Sequence, residues 1–213
     1  MHTVLILGAS GLIGSHLVEL LLNDKAVDKI YLLLRKPMNL NHPKVEERIV
    51  DFNDTNAFKN SVQAVNTVFC CIGTTQKQVK GDNALYRKID FDIPVNAARF
   101  CIEKDATKYI LVSAIGANSK SGNFYLKLKG EVEEAIACLP FQSVHFMRPS
   151  ILMGNRKEFR LGEKIAQVIM PLLSFLIPSK YKPIKAAQVA MAMIIADKGD
   201  KVGKNVYEFK DMK

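Results

Sequence analysis

The sequence lacks the features of secreted, membrane-spanning and zinc-binding proteins. Its four cysteines include no C-x-x-C pair, and the adjacent Cys70 and Cys71 lie in an apolar run, which indicates buried thiols in a reducing compartment. No basic segment followed by an apolar stretch and a cleavage site opens the chain, so we expect a cytoplasmic protein. The longest later apolar stretch, residues 165–177, spans 13 residues, whereas a membrane helix needs about 20. No transmembrane segment is predicted.

Metal and nucleic-acid signatures are also missing. The four histidines share no metal-ligand spacing with one another or with acidic residues, so no metal site is expected. The chain has a formal charge of +9, and residues 155–213 hold 12 basic against 6 acidic residues. This balance favours an anionic partner such as a phosphorylated cofactor, a nucleic acid or a membrane surface. Because the basic stretches lack interleaved aromatic residues and a recognition-helix pattern, nucleic-acid binding is not expected.

The sequence does contain enough apolar residues for one buried core. Of 213 residues, 48% are apolar and 24% are charged, which is typical of a globular domain. Short apolar segments alternate with helical patterns, as in a parallel sheet covered by helices on both faces. We therefore predict a doubly wound α/β fold of the Rossmann type. The predicted strands are 3–7, 29–34, 48–52, 67–72, 109–113 and 143–147, and the main predicted helices are 12–22, 83–103 and 125–138.

The pattern changes after Pro149. A basic loop precedes two predicted helices near residues 161–177 and 185–197 and a final predicted strand over 205–209. We expect residues 1–154 to form the Rossmann-type core and residues 155–213 to form a small helical cap of the same domain. The apolar helix 161–177 has basic flanks and could lie on a membrane surface, but covering an apolar substrate pocket is the favoured use.

A glycine-rich turn directly follows the first predicted strand. Gly8, Gly11 and Gly14 match G-x-x-G-x-x-G and open a helix with an apolar face. In such a turn the glycines permit a tight bend, close approach of the backbone to a pyrophosphate, and close packing of the helix on the sheet. The start of the helix then favours the anion. A glycine triplet alone is often an ordinary turn, but its position after a strand favours dinucleotide binding.

Residues that follow the next strands fit the remainder of a dinucleotide. Arg35 ends the second strand, where NAD-specific folds place an acidic residue, so NADP is favoured over NAD. The alternative is a solvated charged pair at a strand end. Asp51 and Phe52 end the third predicted strand, where they could meet the adenine, and Gly73 follows the fourth, where the backbone could pass close to the cofactor.

Ser113, Tyr125 and Lys129 form a candidate catalytic set. Ser113 ends the fifth predicted strand, and Tyr125 and Lys129 are four residues apart at the start of a helix, so they share one face. A neighbouring ammonium favours the phenolate, which suits proton transfer that accompanies hydride transfer. Ser113 would orient a carbonyl, and Lys129 would also hold ribose hydroxyls. The glutamates at 131, 133 and 134 are predicted to form a solvated face without a chemical role.

Together these motifs resemble an atypical short-chain dehydrogenase/reductase, most closely its Tat-interacting-protein oxidoreductase-like subgroup. The matching stretches are GASGLIGSHLVELLL, LLLRKP, VDF, CCIGTT, LVSAIGAN, NFYLKLKGEVE and FMRPSILMG, within residues 1–154. The resemblance implies an NADP(H) cofactor and the catalytic set Ser113, Tyr125 and Lys129, although Ala114 stands where relatives often have a second serine. The cofactor residues it implies are Gly8, Ser10, Gly11, Leu12, Ile13, Gly14, Arg35, Asp51, Phe52, Cys71, Ile72, Gly73, Lys129 and Arg148, the last beside the substrate pocket.

The expected function is NADP(H)-dependent oxidation or reduction of a small alcohol or carbonyl substrate with Tyr125 as the acid or base. One alternative is a non-catalytic NADP(H)-binding regulatory or interaction protein, which would use the cofactor to order its short cap. A nucleotide-sugar epimerase is a third possibility, but such enzymes have a longer C-terminal substrate domain than the 59 residues that follow residue 154. A protein partner or a homodimer is compatible with each of these functions.

Overall fold

The computed structural model describes residues 1–153 and 182–213, and its centre is a sheet of seven parallel strands. The strands are β1 Thr3–Leu7, β2 Lys29–Leu34, β3 Val45–Ile49, β4 Thr67–Cys70, β5 Lys108–Val112, β6 Ser143–Met147, β7 Leu152–Met153, β8 Ile184–Lys185 and β9 Gly203–Tyr207. In the large sheet they lie in the order β3-β2-β1-β4-β5-β6-β9, which confirms the predicted Rossmann-like sheet. The short strands β7 and β8 form a separate parallel pair.

Helices connect the strands and cover both faces of the sheet. Side chains alternate along the central strands, so that Val4 and Ile6 pack in one apolar core and Leu5 and Leu7 pack in the other. The helices are α1 Leu12–Asn23, α2 Thr55–Ser61, α3 Asn83–Arg87, a π-helix Lys88–Asp92, α4 Ile93–Ile102, α5 Phe124–Ala137 and α6 Ala186–Lys198. The first core includes α1 and α6, and the second includes α2, α4 and α5.

The predicted bounds agree with the structure where burial is greatest. The bounds of β1, β2 and β6 are those predicted, whereas the third strand lies at Val45–Ile49 rather than 48–52. This edge strand contains charged residues, and its Glu46 pairs with Lys29 and Arg48. An apolar pattern therefore does not mark the start of the strand. The predicted helix 83–103 is interrupted by the π-helix, and the final strand begins at Gly203 rather than residue 205.

Part of the segment predicted as a cap packs in the Rossmann core. Helix α6 packs against α1, and β9 pairs with β6 at the edge of the sheet. The predicted helix 161–177 lies outside the described residues. The division into a core of residues 1–154 and a cap of the same domain stays a prediction.

Candidate dinucleotide-binding and active site

The glycine-rich turn between β1 and α1 leaves no room for side chains at two of its positions. Gly8 has φ of +79°, and a Cβ there would lie 2.7 Å from the carbonyl carbon of Cys71. A Cβ at Gly14 would lie 2.1 Å from the oxygen of Gly8. Helix α1 begins after Gly11 without a side-chain cap or an acidic first turn. Its first N–H groups can therefore bind an anion, and the turn fits the pyrophosphate of a dinucleotide.

The other predicted adenosine-side residues lie at the same carboxyl edge of the sheet. Arg35 is exposed directly after β2, next to the glycine turn that follows the neighbouring β1. Asp51 is exposed after β3, where its Oδ1 accepts hydrogen bonds from the backbone N–H and side-chain amide of Asn53. Phe52 is half-buried with its ring centre 4.8 Å from that of Phe58. Arg35 and Asp51 are thus both exposed at this edge of the sheet.

The loop after β4 lies against the glycine-rich turn. The Cys71 N–H donates a hydrogen bond of 2.8 Å to the Leu7 oxygen, which extends the pairing of β4 with β1. Ile72 is half-buried and Gly73 is exposed, so the chain emerges from the sheet at these residues. Burial raises the pKa of the Cys71 thiol well above its ordinary value, so this cysteine stays a neutral, apolar neighbour of the turn.

Tyr125 and Lys129 occupy the first half of α5, as predicted from their spacing. Tyr125 is half-buried and its ring makes an edge contact with Tyr86. The Lys129 side chain is 5% exposed, and its Nζ lies 2.9 Å from Oδ2 of Asp90, which is 1% exposed. Burial alone would lower the pKa of Lys129, but Asp90 and the Tyr125 phenol raise it above its ordinary value, so Lys129 is an ammonium.

Asp90 is held by the π-helix and by the loop after β4. Its Oδ1 accepts a hydrogen bond of 2.7 Å from the Thr74 N–H. Thr74 is fixed in turn because its carbonyl accepts a hydrogen bond from the Tyr86 hydroxyl at 3.1 Å. Among the described residues, Asp90 Oδ2 accepts no well-directed hydrogen bond, and its close contact is the ion pair with Lys129. π-helical turns are frequently found at functional sites.

Ser113 belongs to a second buried polar cluster, with Glu133 and Arg148. The Ser113 hydroxyl donates a 2.5 Å hydrogen bond to Glu133 Oε1. The Arg148 guanidinium, at the carboxyl end of β6, binds both oxygens of Glu133 at 2.9 and 2.5 Å, and this contact raises the Arg148 pKa. Glu133 is 1% exposed, so its prediction as a solvated residue was wrong. The hydrogen of Ser113 is thus directed to Glu133.

Gly130 sets the separation between α5 and the loop that contains Ser113. A Cβ at Gly130 would lie 2.1 Å from the Ser119 nitrogen and 2.3 Å from the Asn118 carbonyl carbon. The Asn118 N–H donates a 3.0 Å hydrogen bond to the Leu126 oxygen of α5. Close packing at Gly130 therefore brings the end of β5 near the helix face that contains Tyr125, Lys129 and Glu133.

Sequence reasoning missed Asp90 and Glu133. The signal for Glu133 was its position four residues after Lys129, because residues at this spacing share a helix face. The partner of Glu133 is Arg148, which comes from another strand and is separated in sequence by 15 residues. Asp90 is 39 residues before Lys129 in the sequence, and a pairing across that distance has no local signal.

Family comparison agrees with this geometry. The model of the family described as NAD(P)H-binding matches residues 8–137. The rat protein HTATIP2 is 30% identical over 168 residues, which are 78% of this chain and 69% of that protein. The mitochondrial protein FMP52 of Candida albicans is 32% identical over 201 residues, which are 91% of this chain and 87% of that protein.

Solved structures share this fold, and one of them, MoeE5, contains NAD. MoeE5 in complex with UDP-glucuronic acid and NAD superposes with a TM-score of 0.74 at 18% identity, over 96% of this chain and 75% of that one. The UDP-N-acetylglucosamine 4-epimerase from Bacillus cereus gives a TM-score of 0.71 at 17% identity, over 98% of this chain and 78% of that one.

The order of the strands, the glycine turn that would hold a pyrophosphate, and the family match to residues 8–137 lead to the same assignment. The relatives that cover most of the chain add the subgroup. The chain belongs to the NAD(P)H-binding family, as an atypical short-chain dehydrogenase/reductase of the Tat-interacting-protein oxidoreductase-like subgroup.

Proposed function

We propose that the protein is an NADP(H)-dependent oxidoreductase that acts on a small carbonyl or alcohol. The observation that supports this function is the position of Tyr125 and the charged Lys129 on one face of α5, above a sheet whose first turn fits a pyrophosphate. The cofactor, when bound, supplies or accepts the hydride. The residues of this chain would bind the two reactants, exclude water and move the accompanying proton.

In this proposal Tyr125 gives a proton to a carbonyl oxygen or removes one from an alcohol. The Lys129 ammonium favours the phenolate between these steps and donates to the ribose hydroxyls of the nicotinamide half. Ser113 is the third proposed member of the site. Because the Ser113 hydroxyl donates its hydrogen to Glu133, it can act towards another group only as a hydrogen-bond acceptor, through its oxygen. Arg148 would lie beside the substrate, fixed by Glu133.

Turnover tests the role of Tyr125. Purified protein is mixed with NADPH and a panel of aldehydes and ketones, and loss of NADPH is followed by absorbance. We expect Tyr125→Phe to lower kcat by about 100-fold or more, because the variant lacks only the proton donor. Tyr31→Phe, on strand β2, is the matched control and should leave kcat unchanged. Equal turnover by wild type and Tyr125→Phe would refute the assigned mechanism.

Arg35 supports the proposed preference for NADP over NAD. Its guanidinium is exposed next to the glycine turn, where the 2′-phosphate of NADP would lie. Charge-assisted hydrogen bonds to such a phosphate stabilise a complex by about 1.5–3 kcal/mol. Arg35→Asp should therefore weaken NADP binding by roughly tenfold to over a hundredfold and leave NAD binding unchanged or stronger. Titration calorimetry at one salt concentration measures both affinities. Equal affinities of the wild type for the two nucleotides would contradict the assignment.

The buried Ser113 hydroxyl favours a second function, that of a non-catalytic NADP(H)-binding regulatory protein. A serine that is 3% exposed and donates to Glu133 contributes less to a substrate site than an exposed one would. In this case NADPH binds without turnover on any member of the panel and instead changes the protease sensitivity of residues 155–213. Turnover that depends on Tyr125 would exclude this alternative.

We further propose the cytoplasm as the compartment, because the free cysteines of the described chain fit reducing conditions. The fungal relatives named mitochondrial define the alternative, which cell fractionation would distinguish. Among residues 1–153 and 182–213, no helix has the length and apolar character needed to cross a membrane. We propose that the main partner is a small-molecule substrate and that the protein does not bind nucleic acid. Light scattering would test for a homodimer or a protein partner.

A further inference from the structure

The buried pair of Asp90 and Lys129 has no net charge. Lys129 Nζ and Asp90 Oδ2 are 2.9 Å apart, and their side chains are 5% and 1% exposed. Salt and solvent screen such a buried pair weakly, so its charge balance affects any ligand bound nearby. Among the residues that the structure describes, the phenols of Tyr125 on α5 and Tyr86 on α3 and the buried Cys70 thiol also interact with Lys129, and all three are neutral when protonated.

Contacts other than the ion pair with Lys129 also fix the position of Asp90. Its Oδ1 is fixed by the Thr74 N–H, and Thr74 belongs to the loop that leaves β4 beside the glycine turn. A Cβ at Gly73, in the same loop, would lie 3.8 Å from Asp90 Oδ2. Asp90 thus adjoins both the lysine proposed to hold the nicotinamide ribose and the loop predicted to pass close to the cofactor.

The two redox forms of a nicotinamide differ by one positive charge at the ring. A site with net positive charge would therefore bind the oxidised form less well than the reduced form. Lys129 alone would create such a site. Asp90 cancels this charge, so that the oxidised ring can bind without an uncompensated cation beside it.

We propose that Asp90 determines the relative affinity of the protein for the oxidised and reduced cofactor by neutralising Lys129. Asp90 is a positioning and charge-balancing residue, since its carboxylate acts through Lys129 rather than on the reacting atoms. The proposal rests on the proposed function, because it places the nicotinamide ribose beside Lys129. It adds that the chain itself sets how readily the bound cofactor is reduced.

The test compares the dissociation constants of NADP⁺ and NADPH by titration calorimetry at pH 6.5 and one salt concentration, because burial lowers the pKa of Lys129 once Asp90 is neutral and a lower pH favours the ammonium. Asp90→Asn keeps the size of the side chain and leaves Lys129 uncompensated. The ratio of Kd for NADP⁺ to Kd for NADPH should rise at least about fivefold, because a buried like charge opposes the oxidised ring alone. The double variant Asp90→Asn with Lys129→Met has neither charge, so its ratio should return to within about twofold of wild type.

Asp197→Asn is the matched control. Asp197 is also buried and ion-paired, but it lies against His2 and Thr67 at the opposite edge of the sheet. This variant should leave the ratio unchanged even if it lowers stability. Loss of a hydrogen bond between Lys129 and the ribose weakens both redox forms equally, so a purely structural effect also leaves the ratio unchanged.

An unchanged ratio in Asp90→Asn, or a shift that persists in the double variant, would overturn the proposal. If Asp90→Asn does not fold, Lys129→Met serves instead, and its remaining carboxylate should lower the ratio relative to the double variant. A ratio in Lys129→Met equal to that of the double variant would also overturn it. If wild type binds neither nucleotide, the proposed function fails, and this result is distinct from a failure of the charge argument.

Discussion

Two buried aspartates lie at opposite edges of the sheet, and they are satisfied to different degrees. Asp197 lies at the amino edge, where Oδ1 accepts a 2.6 Å hydrogen bond from Thr67 and Oδ2 lies 2.8 Å from the His2 ring nitrogen. Asp90 lies at the carboxyl edge, where Oδ1 is hydrogen-bonded and Oδ2 faces the Lys129 ammonium without a well-directed hydrogen bond. Both are at most 4% exposed, so burial does not distinguish them.

The difference shows what separates a structural polar cluster from a candidate site in this fold. At the amino edge the Lys108 ammonium also binds the carbonyls of Asp197 and Gly199, so that cluster joins α6 to the strands with both carboxylate oxygens satisfied. At the carboxyl edge Asp90 adjoins Gly73, where a Cβ would meet no atom of the described residues within 4 Å other than Asp90 Oδ2 at 3.8 Å, so space remains beside this carboxylate. Hydrogen-bonding capacity that remains beside such space is a better indicator of function than buried charge alone.

The largest effect is expected at the glycine turn of the carboxyl edge. In Gly14→Ala the Cβ would lie 2.1 Å from the Gly8 oxygen, so α1 would have to move from the sheet. We expect the free energy of unfolding to fall by more than about 3 kcal/mol and NADPH binding to be lost. Gly122→Ala is the control, because a Cβ there meets no atom within 4 Å. Urea unfolding and calorimetry measure the two quantities, and equal behaviour of the two variants would contradict the packing argument.

Glu133→Ala should have the next largest effect, since it leaves Arg148 and Ser113 without their partner. We expect a loss of about 3 kcal/mol in stability, as for other disrupted buried ion pairs. Glu131→Ala removes a more exposed partner of Arg87 from the same helix and should cost less than about 1 kcal/mol. The comparison is made by urea unfolding at neutral pH. A cost for Glu131→Ala that matches that of Glu133→Ala would show that burial of the cluster contributes little.

Asp197→Asn tests whether the amino edge is structural. The variant weakens the contacts with His2 and Thr67 and should destabilise the fold by about 1–2 kcal/mol. Its affinity for NADPH should equal that of wild type, because the cluster lies at the far edge from the glycine turn. Thermal unfolding with and without NADPH gives both values. A loss of affinity in the folded variant would remove the proposed distinction between the two edges.

The smallest effect is the pH dependence of the His2 contact. The hydrogen bond to Asp197 raises the pKa of His2 above its ordinary value of 6.5, although burial opposes this change. The stabilisation is therefore complete below pH 6.5 and is lost as the pH rises through the higher folded pKa. His2→Gln should be less stable than wild type at pH 5.5 by less than about 1 kcal/mol, and the difference should shrink by pH 8.5. Urea unfolding at both values tests this, and a difference that grows with pH would exclude it.

Much of the fold was predictable because its signals are local. The bounds of β1, β2 and β6 follow from short, mostly apolar runs, most of whose residues are buried in the sheet. The edge strand β3 was misplaced because its residues pair charges at the surface rather than filling a core. The π-helix was not foreseen, since an extra residue in a helical turn does not alter the apolar pattern enough to mark it.

The candidate site was predictable to a similar degree. Gly8, Gly14, Tyr125 and Lys129 belong to short motifs, and the structure brings these motifs to one edge of the sheet. Their assigned roles stay predictions, as do those of the other proposed contacts. The groups that balance their charges were not predictable, because Asp90 meets Lys129 only after α5 packs against the π-helix. A charge pattern in the sequence gives the helix face of a residue but not its partner on another element.

The position of β9 has a consequence for how the chain folds during synthesis. This strand pairs with β6, and α6 packs against α1, so the last described elements complete a structure begun by the first. Contacts between residues so distant in sequence form slowly, because a long loop must close before they stabilise the chain. Until residues 186–207 have been made, β6 lacks its pairing with β9 and α1 lacks its contacts with α6. A ribosome-bound chain that ends before α6 should therefore bind chaperones and be cleaved by proteases more readily than one that extends beyond β9.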